Sequence, residues 1–210
     1  MHIHEIRAKS QFEEIDYLFL KEALKNYAEP RQKIRTLLRS KGLVRVKKGL
    51  YIFGTPIVRG PYCKEHLANL IYGPSAISLE YALSFYGWIP ERLEELTSIT
   101  IGRNKRFDTP IGRFSYRHMR PDRYPLGITQ MNIAGRMVLL ATPEKALVDL
   151  LVLSKYVFKR AQEFEEHLFQ NLRIDEEAFT SSLSTLRELA ALYRHPSLKW
   201  LLKYNRNPNA

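Results

Sequence analysis

The chain has 210 residues, 45% of them hydrophobic, and carries 33 Lys and Arg side chains against 22 Asp and Glu, a net charge of +11. This composition is typical of a globular protein with one large or two small domains, and it excludes fibrous and low-complexity chains. The only cysteine, Cys63, excludes an internal disulfide and a cysteine-based zinc finger.

The chain opens with His2, His4 and Glu5 close together. Two histidines one residue apart can ligate a metal, but no nearby residue completes a set. We therefore expect no metal here and favour a frayed or edge-strand terminus. From residue 12 to residue 27, apolar side chains recur at a spacing that fits one or two helices, with a break near Leu20 and Lys21.

The segment from Glu29 to Gly54 predicts a helix followed by a two-stranded hairpin. Pro30 suits the first helical turn, and Gly42 is expected to end the helix because glycine tolerates positive φ. Apolar and basic residues then alternate, and Lys48 and Gly49 are predicted to form the tight turn of the hairpin. Small helices followed by a basic helix and a basic hairpin are typical of a winged helix-turn-helix domain, which we assign to residues 1–56.

Positive charge is concentrated in the same segment. Residues 28–60 contain nine Lys or Arg and one acidic residue, whereas residues 61–150 contain 11 basic and 9 acidic residues. Charge of one sign on both helix and hairpin favours a nucleic-acid-binding surface over an ordinary solvated face.

Residues 57–210 are predicted to form a mixed α/β domain with C-terminal helices, so the fold class as a whole is α+β. Residues 54–61 are rich in turn-forming residues and predict a linker. Ser78 is a candidate N-cap for a helix that Gly87 ends. Strands are predicted at 96–101, 113–118 and 136–141, and Thr142-Pro143-Glu144 has the pattern of a helix start.

The stretch from Ser78 to Pro90, with the pattern S-L-E-x-A-L-x-x-x-G-x-I-P, resembles the AbiEi-type antitoxins, predicted transcriptional regulators of phage-defence operons. The resemblance continues through residues 97–100, 112–118 and 142–149. At the front of the chain, residues 42–51 look like the wing of that family's DNA-binding domain.

The resemblance implies an antitoxin that represses its own promoter by binding double-stranded operator DNA, which we expect to be an inverted repeat. A nucleotidyltransferase-like toxin encoded next door would be its companion, although stable contact with the toxin is not required in such systems. Carried over by position, eight residues are expected to bind DNA: Arg31, Gln32, Arg35, Thr36 and Arg39 on the helix, and Arg45, Lys47 and Lys48 on the hairpin.

A second group of basic residues lies in the middle of the chain. These charges could form an ordinary solvated face. The alternatives are additional DNA contacts or contacts with an RNA or protein partner. The candidate contacts are Arg103, Lys105, Arg106, Arg113 and Arg117, with Arg120 close by. His118 beside them could act as a general base, but a packed or hydrogen-bonded histidine is favoured because no nucleophile or second acid is close in sequence.

Several classes of protein are not indicated. No apolar stretch approaches the roughly 18 residues of a membrane helix, and the N-terminus lacks the apolar segment of a signal peptide, so we expect a cytoplasmic protein without a membrane partner. Phosphate-binding, dinucleotide-binding and hydrolase motifs are absent from the sequence, so we expect no catalytic residues and no cofactor.

The alternative is a nucleic-acid-processing enzyme, a nuclease or nucleotidyltransferase, with its site in residues 61–155. Asp108 with Glu144 and Lys145 is the combination most similar to a nuclease motif, but the spacing between these residues does not fit that motif.

Overall fold

The computed structural model describes residues 3–55, 57–154 and 156–205. Its N-terminal part, residues 3–55, contains three helices and a three-stranded antiparallel sheet of order β1-β3-β2. Along the chain these elements are α1 (Ile3–Ala8), β1 (Glu14–Asp16), α2 (Tyr17–Ala23), α3 (Pro30–Arg39), β2 (Leu43–Lys47) and β3 (Leu50–Phe53).

Helix α3 confirms the predicted basic helix. It begins at Pro30, and Ile34 and Leu37 form its buried stripe. The residue with positive φ after the helix is Lys41, at 56°, so the expectation that Gly42 would supply it is wrong. Gly54 packs so closely on this turn that a Cβ atom there would lie 1.8 Å from the Lys41 carbonyl oxygen.

The predicted hairpin is also confirmed, with Gly49 in its turn at a φ of +86°. Strand β3 is buried on both faces. Leu50 and Ile52 pack into the core of the larger part of the molecule, whereas Tyr51 and Phe53 pack into the N-terminal core. Strand β3 is therefore held between two hydrophobic cores, whereas β2 is partly exposed and the turn of the hairpin reaches solvent.

Two expectations for the first 27 residues are wrong. Residues 3–8 form a helix, where a frayed or edge-strand terminus was expected, and His2 lies outside the described residues. Residues 14–16 form a strand, and the following helix runs unbroken from residue 17 to residue 23. Pairing of Glu14 with Ile52 and of Ile15 with Tyr51 outweighs the helical spacing of the local apolar residues.

The rest of the chain forms a six-stranded mixed sheet with helices packed against it, which confirms the α+β class. The strand order is β6-β7-β5-β4-β9-β8, with β4 parallel to β9 and β5 parallel to β7. The strands are β4 (Ser75–Ile77), β5 (Glu95–Thr100), β6 (Lys105–Thr109), β7 (Gly112–His118), β8 (Ile128–Ile133) and β9 (Arg136–Ala141). The helices are α4 (Lys64–Ile71), α5 (Leu79–Phe85), α6 (Pro143–Leu153), α7 (Ala161–Glu166), α8 (Glu176–Ser181), α9 (Leu183–Tyr193) and α10 (Lys199–Lys203), with a π-helical turn at His167–Asn171 and a 3-10 turn at Pro196–Leu198.

The segment that follows β3 is held by two acidic side chains, Glu13 just before β1 and Glu14 at its start. One carboxylate oxygen of Glu13 accepts hydrogen bonds from the backbone amides of Arg59 and Gly60, at 3.0 and 3.1 Å. Glu14 accepts one from the Cys63 amide at 2.6 Å and forms a buried ion pair with Arg136 at 2.8 Å. The segment of residues 57–63 is thus hydrogen-bonded to the N-terminal part. The domain boundary between residues 56 and 57 stays a prediction. None of the helices in the described ranges combines the length and the apolar character of a membrane span.

Candidate nucleic-acid interface

Helix α3 presents its five predicted contact residues to solvent. Arg31, Gln32, Arg35, Thr36 and Arg39 are all exposed. The Thr36 hydroxyl donates to the Gln32 carbonyl oxygen at 3.1 Å, an ordinary contact within the helix. The exposed face is therefore basic and polar, and the buried stripe anchors it to the N-terminal core.

The hairpin divides its basic residues between two environments. Arg45 and Lys48 are exposed, but the Lys47 side chain is turned toward the larger part of the molecule. Its amine donates to the Ile71 carbonyl oxygen at 2.5 Å and lies 5.7 Å from the centre of the Phe107 ring. Lys47 is thus half-buried and hydrogen-bonded to the larger part of the molecule, whereas the other seven predicted residues are exposed.

Helix and hairpin enclose an open cleft of about 740 Å³. Basic side chains line its rim, and apolar and aromatic side chains form its base. The lining residues are Tyr17, Arg31, Ile34, Arg35, Leu38, Arg45, Lys48, Gly49 and Tyr51.

The basic side chains around this cleft lack acidic partners. Within the described residues, Arg35, Arg39, Arg45 and Lys48 form no ion pair and no side-chain hydrogen bond, and Arg31 makes only a 3.5 Å contact with the Tyr17 hydroxyl. We call Arg31, Arg35, Arg39, Arg45 and Lys48 the N-terminal basic surface. Exposed charges of one sign without counter-charges give a positive potential that attracts polyanions.

The basic residues of the six-stranded sheet are arranged differently. Arg106 pairs with Glu95 at 3.1 Å, and Arg113 pairs with Glu94 at 3.6 Å. Arg120 contacts Asp122, Arg117 donates to a backbone carbonyl oxygen and Lys105 lies over an aromatic ring. Arg103 has no partner within the described residues. We call Arg103, Lys105, Arg106, Arg113, Arg117 and Arg120 the second basic cluster, all of them exposed.

The sequence analysis missed a buried polar network around Asp149. The amine of Lys145 is fully enclosed and donates to Asp149 at 3.2 Å, to the Tyr193 hydroxyl at 2.6 Å and to the Arg123 carbonyl oxygen at 3.2 Å. The Tyr193 hydroxyl donates to Asp149 at 2.5 Å. Burial lowers the pKa of Lys145 and raises the pKa values of Asp149 and Tyr193.

This network changes the interpretation of two motifs. Ser78 occupies the predicted N-cap position of α5, but its hydroxyl donates to Asp149 at 2.8 Å and makes no capping hydrogen bond to a helix amide. The four-residue spacing of Lys145 and Asp149 on α6 explains the network, because it brings both side chains to one helical face. Since the Lys145 amine has no solvent access, it cannot stabilise charge on a substrate phosphate as a nuclease lysine does.

The other residues considered for a metal-binding or catalytic role do not form a site in the described part of the chain. No group of three or more His, Cys, Asp and Glu there could hold a metal ion. His118 is exposed, and its Nδ1 lies 2.9 Å from the Gly102 carbonyl oxygen. The Thr142 side chain accepts a hydrogen bond from the Lys145 amide, which confirms the helix start predicted there.

Comparison with known proteins identifies a similar fold. No family model matches the chain, and no curated protein matches it. The crystal structure of the RV2827C protein from Mycobacterium tuberculosis has a TM-score of 0.51 and 18% sequence identity. The match covers 98% of this chain and 81% of that one. At this identity the likeness concerns the fold alone.

Proposed function

We propose that this protein is a sequence-specific DNA-binding repressor whose N-terminal basic surface docks on double-stranded DNA. The observation that carries the proposal is the cleft between α3 and the hairpin, which is rimmed by exposed basic side chains without acidic partners. Phosphates of a duplex would supply the missing counter-charges, and the release of their counterions would favour binding.

The order of the elements supports a winged helix-turn-helix interpretation. A short strand precedes α2, α3 follows it, and a hairpin completes a sheet of order β1-β3-β2. In this arrangement α3 would enter the major groove, and the turn at Lys48 and Gly49 would reach the adjacent backbone or groove.

The exposed residues divide by the chemistry of their side chains. Gln32 and the arginines of α3 can make paired hydrogen bonds to base edges, so we assign sequence recognition to them. Lys48 carries a compact charge suited to a phosphate, which positions the protein without reading sequence. We withdraw Lys47 from the proposed contacts because its amine already binds the Ile71 carbonyl oxygen.

The resemblance of residues 78–90 and 142–149 to AbiEi-type antitoxins supports a more specific proposal. The protein would repress its own operon from an inverted repeat and act as the antitoxin to a nucleotidyltransferase-like toxin encoded beside it. Toxin neutralisation is testable separately from DNA binding, by co-expressing the neighbouring gene and scoring growth.

The decisive experiment is a binding titration with the DNA upstream of the protein's own gene. We expect Arg35→Glu with Arg39→Glu to abolish specific binding while the circular dichroism spectrum stays unchanged, because both side chains are exposed and unpaired. Arg103→Glu with Arg106→Glu makes the same change of charge at another exposed site and is expected to retain binding. Equal losses in the two double variants would overturn the proposed docking surface.

A further inference from the structure

Arg123 lies in the loop between β7 and β8, and only 9% of the residue is exposed. Its Nε atom is closed off from solvent and has no hydrogen-bond acceptor. Its guanidinium lies 5.7 Å from the centre of the Tyr193 ring, and the side chain makes no ion pair or hydrogen bond with the described residues. The two terminal guanidinium nitrogens are not among the enclosed atoms, so they can reach a ligand from outside, whereas the unpartnered Nε carries a desolvation cost that an anion at the guanidinium would offset.

The carboxylates around Arg123 are occupied by other partners. Asp122 binds Arg120 through two contacts of 3.1 and 3.2 Å. Asp149 receives hydrogen bonds from Lys145, Tyr193 and Ser78. The interior around Tyr193 therefore holds two cationic side chains, Arg123 and Lys145, but a single carboxylate. Proton transfer from Lys145 to Asp149 would leave the net charge positive.

His195 adds a hydrogen-bond donor near this excess charge. Its Nδ1 accepts the Ser197 amide at 3.3 Å, so in the neutral ring the proton lies on Nε2. Burial and the positive charge of Arg123 lower the pKa of His195, which keeps the ring neutral at physiological pH. The ring is half-buried and follows Tyr193, which packs against Arg123, by two residues.

We propose that Arg123, with His195 from the segment that follows Tyr193, binds a small tetrahedral oxyanion such as phosphate or sulfate. The planar guanidinium can donate two parallel N–H groups to two oxygens of such an anion, a geometry that a single lysine amine cannot supply. This site lies in the larger part of the chain and does not depend on the proposed DNA-binding function.

The test is thermal unfolding with increasing inorganic phosphate at constant ionic strength, with chloride and acetate as comparison anions. All variants carry Arg35→Glu and Arg39→Glu, which reduce the positive charge of the N-terminal basic surface equally in every sample. We expect the Tm to rise saturably, by about 3–6 °C at roughly ten times the dissociation constant. Arg123→Met should lose this rise, and Arg103→Met, a change at an exposed arginine without a partner, should keep it.

Each outcome is decisive for the oxyanion site. In chloride, Arg123→Met should be about as stable as its parent, because the change removes a side chain without an ion pair or hydrogen bond and replaces it with an apolar one that can pack on Tyr193. A rise that is linear in phosphate, or equal in both methionine variants, would reflect general salt effects and overturn the site. An equal rise in acetate would overturn the preference for a tetrahedral anion. If Arg123→Met does not fold, Arg123→Lys replaces it, and an unchanged phosphate response in that variant would contradict the role of the guanidinium.

Discussion

The N-terminal basic surface and the second basic cluster are both exposed, yet they differ in what surrounds their charges. Four of the five residues of the first have no partner within the described chain, whereas Arg106 and Arg113 of the second are paired with Glu95 and Glu94. Paired surface charges largely cancel at a distance, and unpaired charges add. A count of basic residues in the sequence cannot distinguish the two situations; the positions of the nearby acids can.

The largest expected effect comes from reversing one charge in each region. Arg45→Glu should weaken binding to operator DNA by about 10- to 100-fold, because it removes one favourable charge and adds a repulsive one. Arg113→Glu should change the dissociation constant by less than about threefold. Fluorescence anisotropy with a labelled duplex measures both, and equal effects would remove the distinction between the two regions.

The salt dependence of binding tests the same distinction without charge reversal. If the N-terminal basic surface neutralises about 5–8 phosphates, the plot of log affinity against log salt should have a slope of about −4 to −7. Arg39→Gln should make this slope less steep by about 1, and Arg106→Gln should leave it unchanged. A reduction of the slope by Arg106→Gln would place the second basic cluster on the DNA.

The adjacent lysines of the hairpin should respond in opposite ways. Lys48→Gln should weaken DNA binding several-fold and leave stability unchanged, because its exposed amine has no partner. Lys47→Gln should lower the free energy of unfolding by about 1 kcal/mol, because it removes the hydrogen bond to Ile71. Urea denaturation and DNA titration of both variants check this, and a DNA-binding loss in folded Lys47→Gln would return that residue to the interface.

The smallest expected effect concerns the acids of the second basic cluster. Glu95→Gln releases Arg106 from its ion pair and removes a negative charge, so affinity for DNA should rise, by less than about threefold. The free energy of unfolding should change by less than about 1 kcal/mol, since the Arg106 side chain is half exposed. A decrease in affinity would show that the pair itself supports binding.

Sequence patterns predicted the elements whose local signals agree with their tertiary setting. Helix α3 has a proline start and a clear apolar stripe, and the hairpin has a glycine turn, so both could be recognised. Strand β8 was missed because its apolar residues, Ile128, Met131 and Ile133, do not alternate regularly with polar ones. Lys145 could be seen as part of a motif, but its partner Tyr193 is 48 residues away, so only the fold brings them together.

The roles of Glu13 and Glu14 were beyond sequence analysis for a similar reason. Glu13 precedes, and Glu14 begins, a three-residue strand whose sequence has no clear strand pattern. Glu13 pairs with Arg7, and the two side chains also bind the backbone amides of residues 59, 60 and 63 and the side chain of Arg136. A backbone amide has no residue-specific signature, and Arg136 lies more than a hundred residues away in sequence.

The attachment of Glu14 also has a consequence for how the protein denatures. Melting of β1 would remove the carboxylate partner of the Arg136 guanidinium and the acceptor of the Cys63 amide, so unfolding of the first sixty residues would destabilise the sheet beyond them. Calorimetry should accordingly record one cooperative heat-absorption peak. Cutting the chain after residue 56 would yield two destabilised fragments, each missing half of a shared set of contacts.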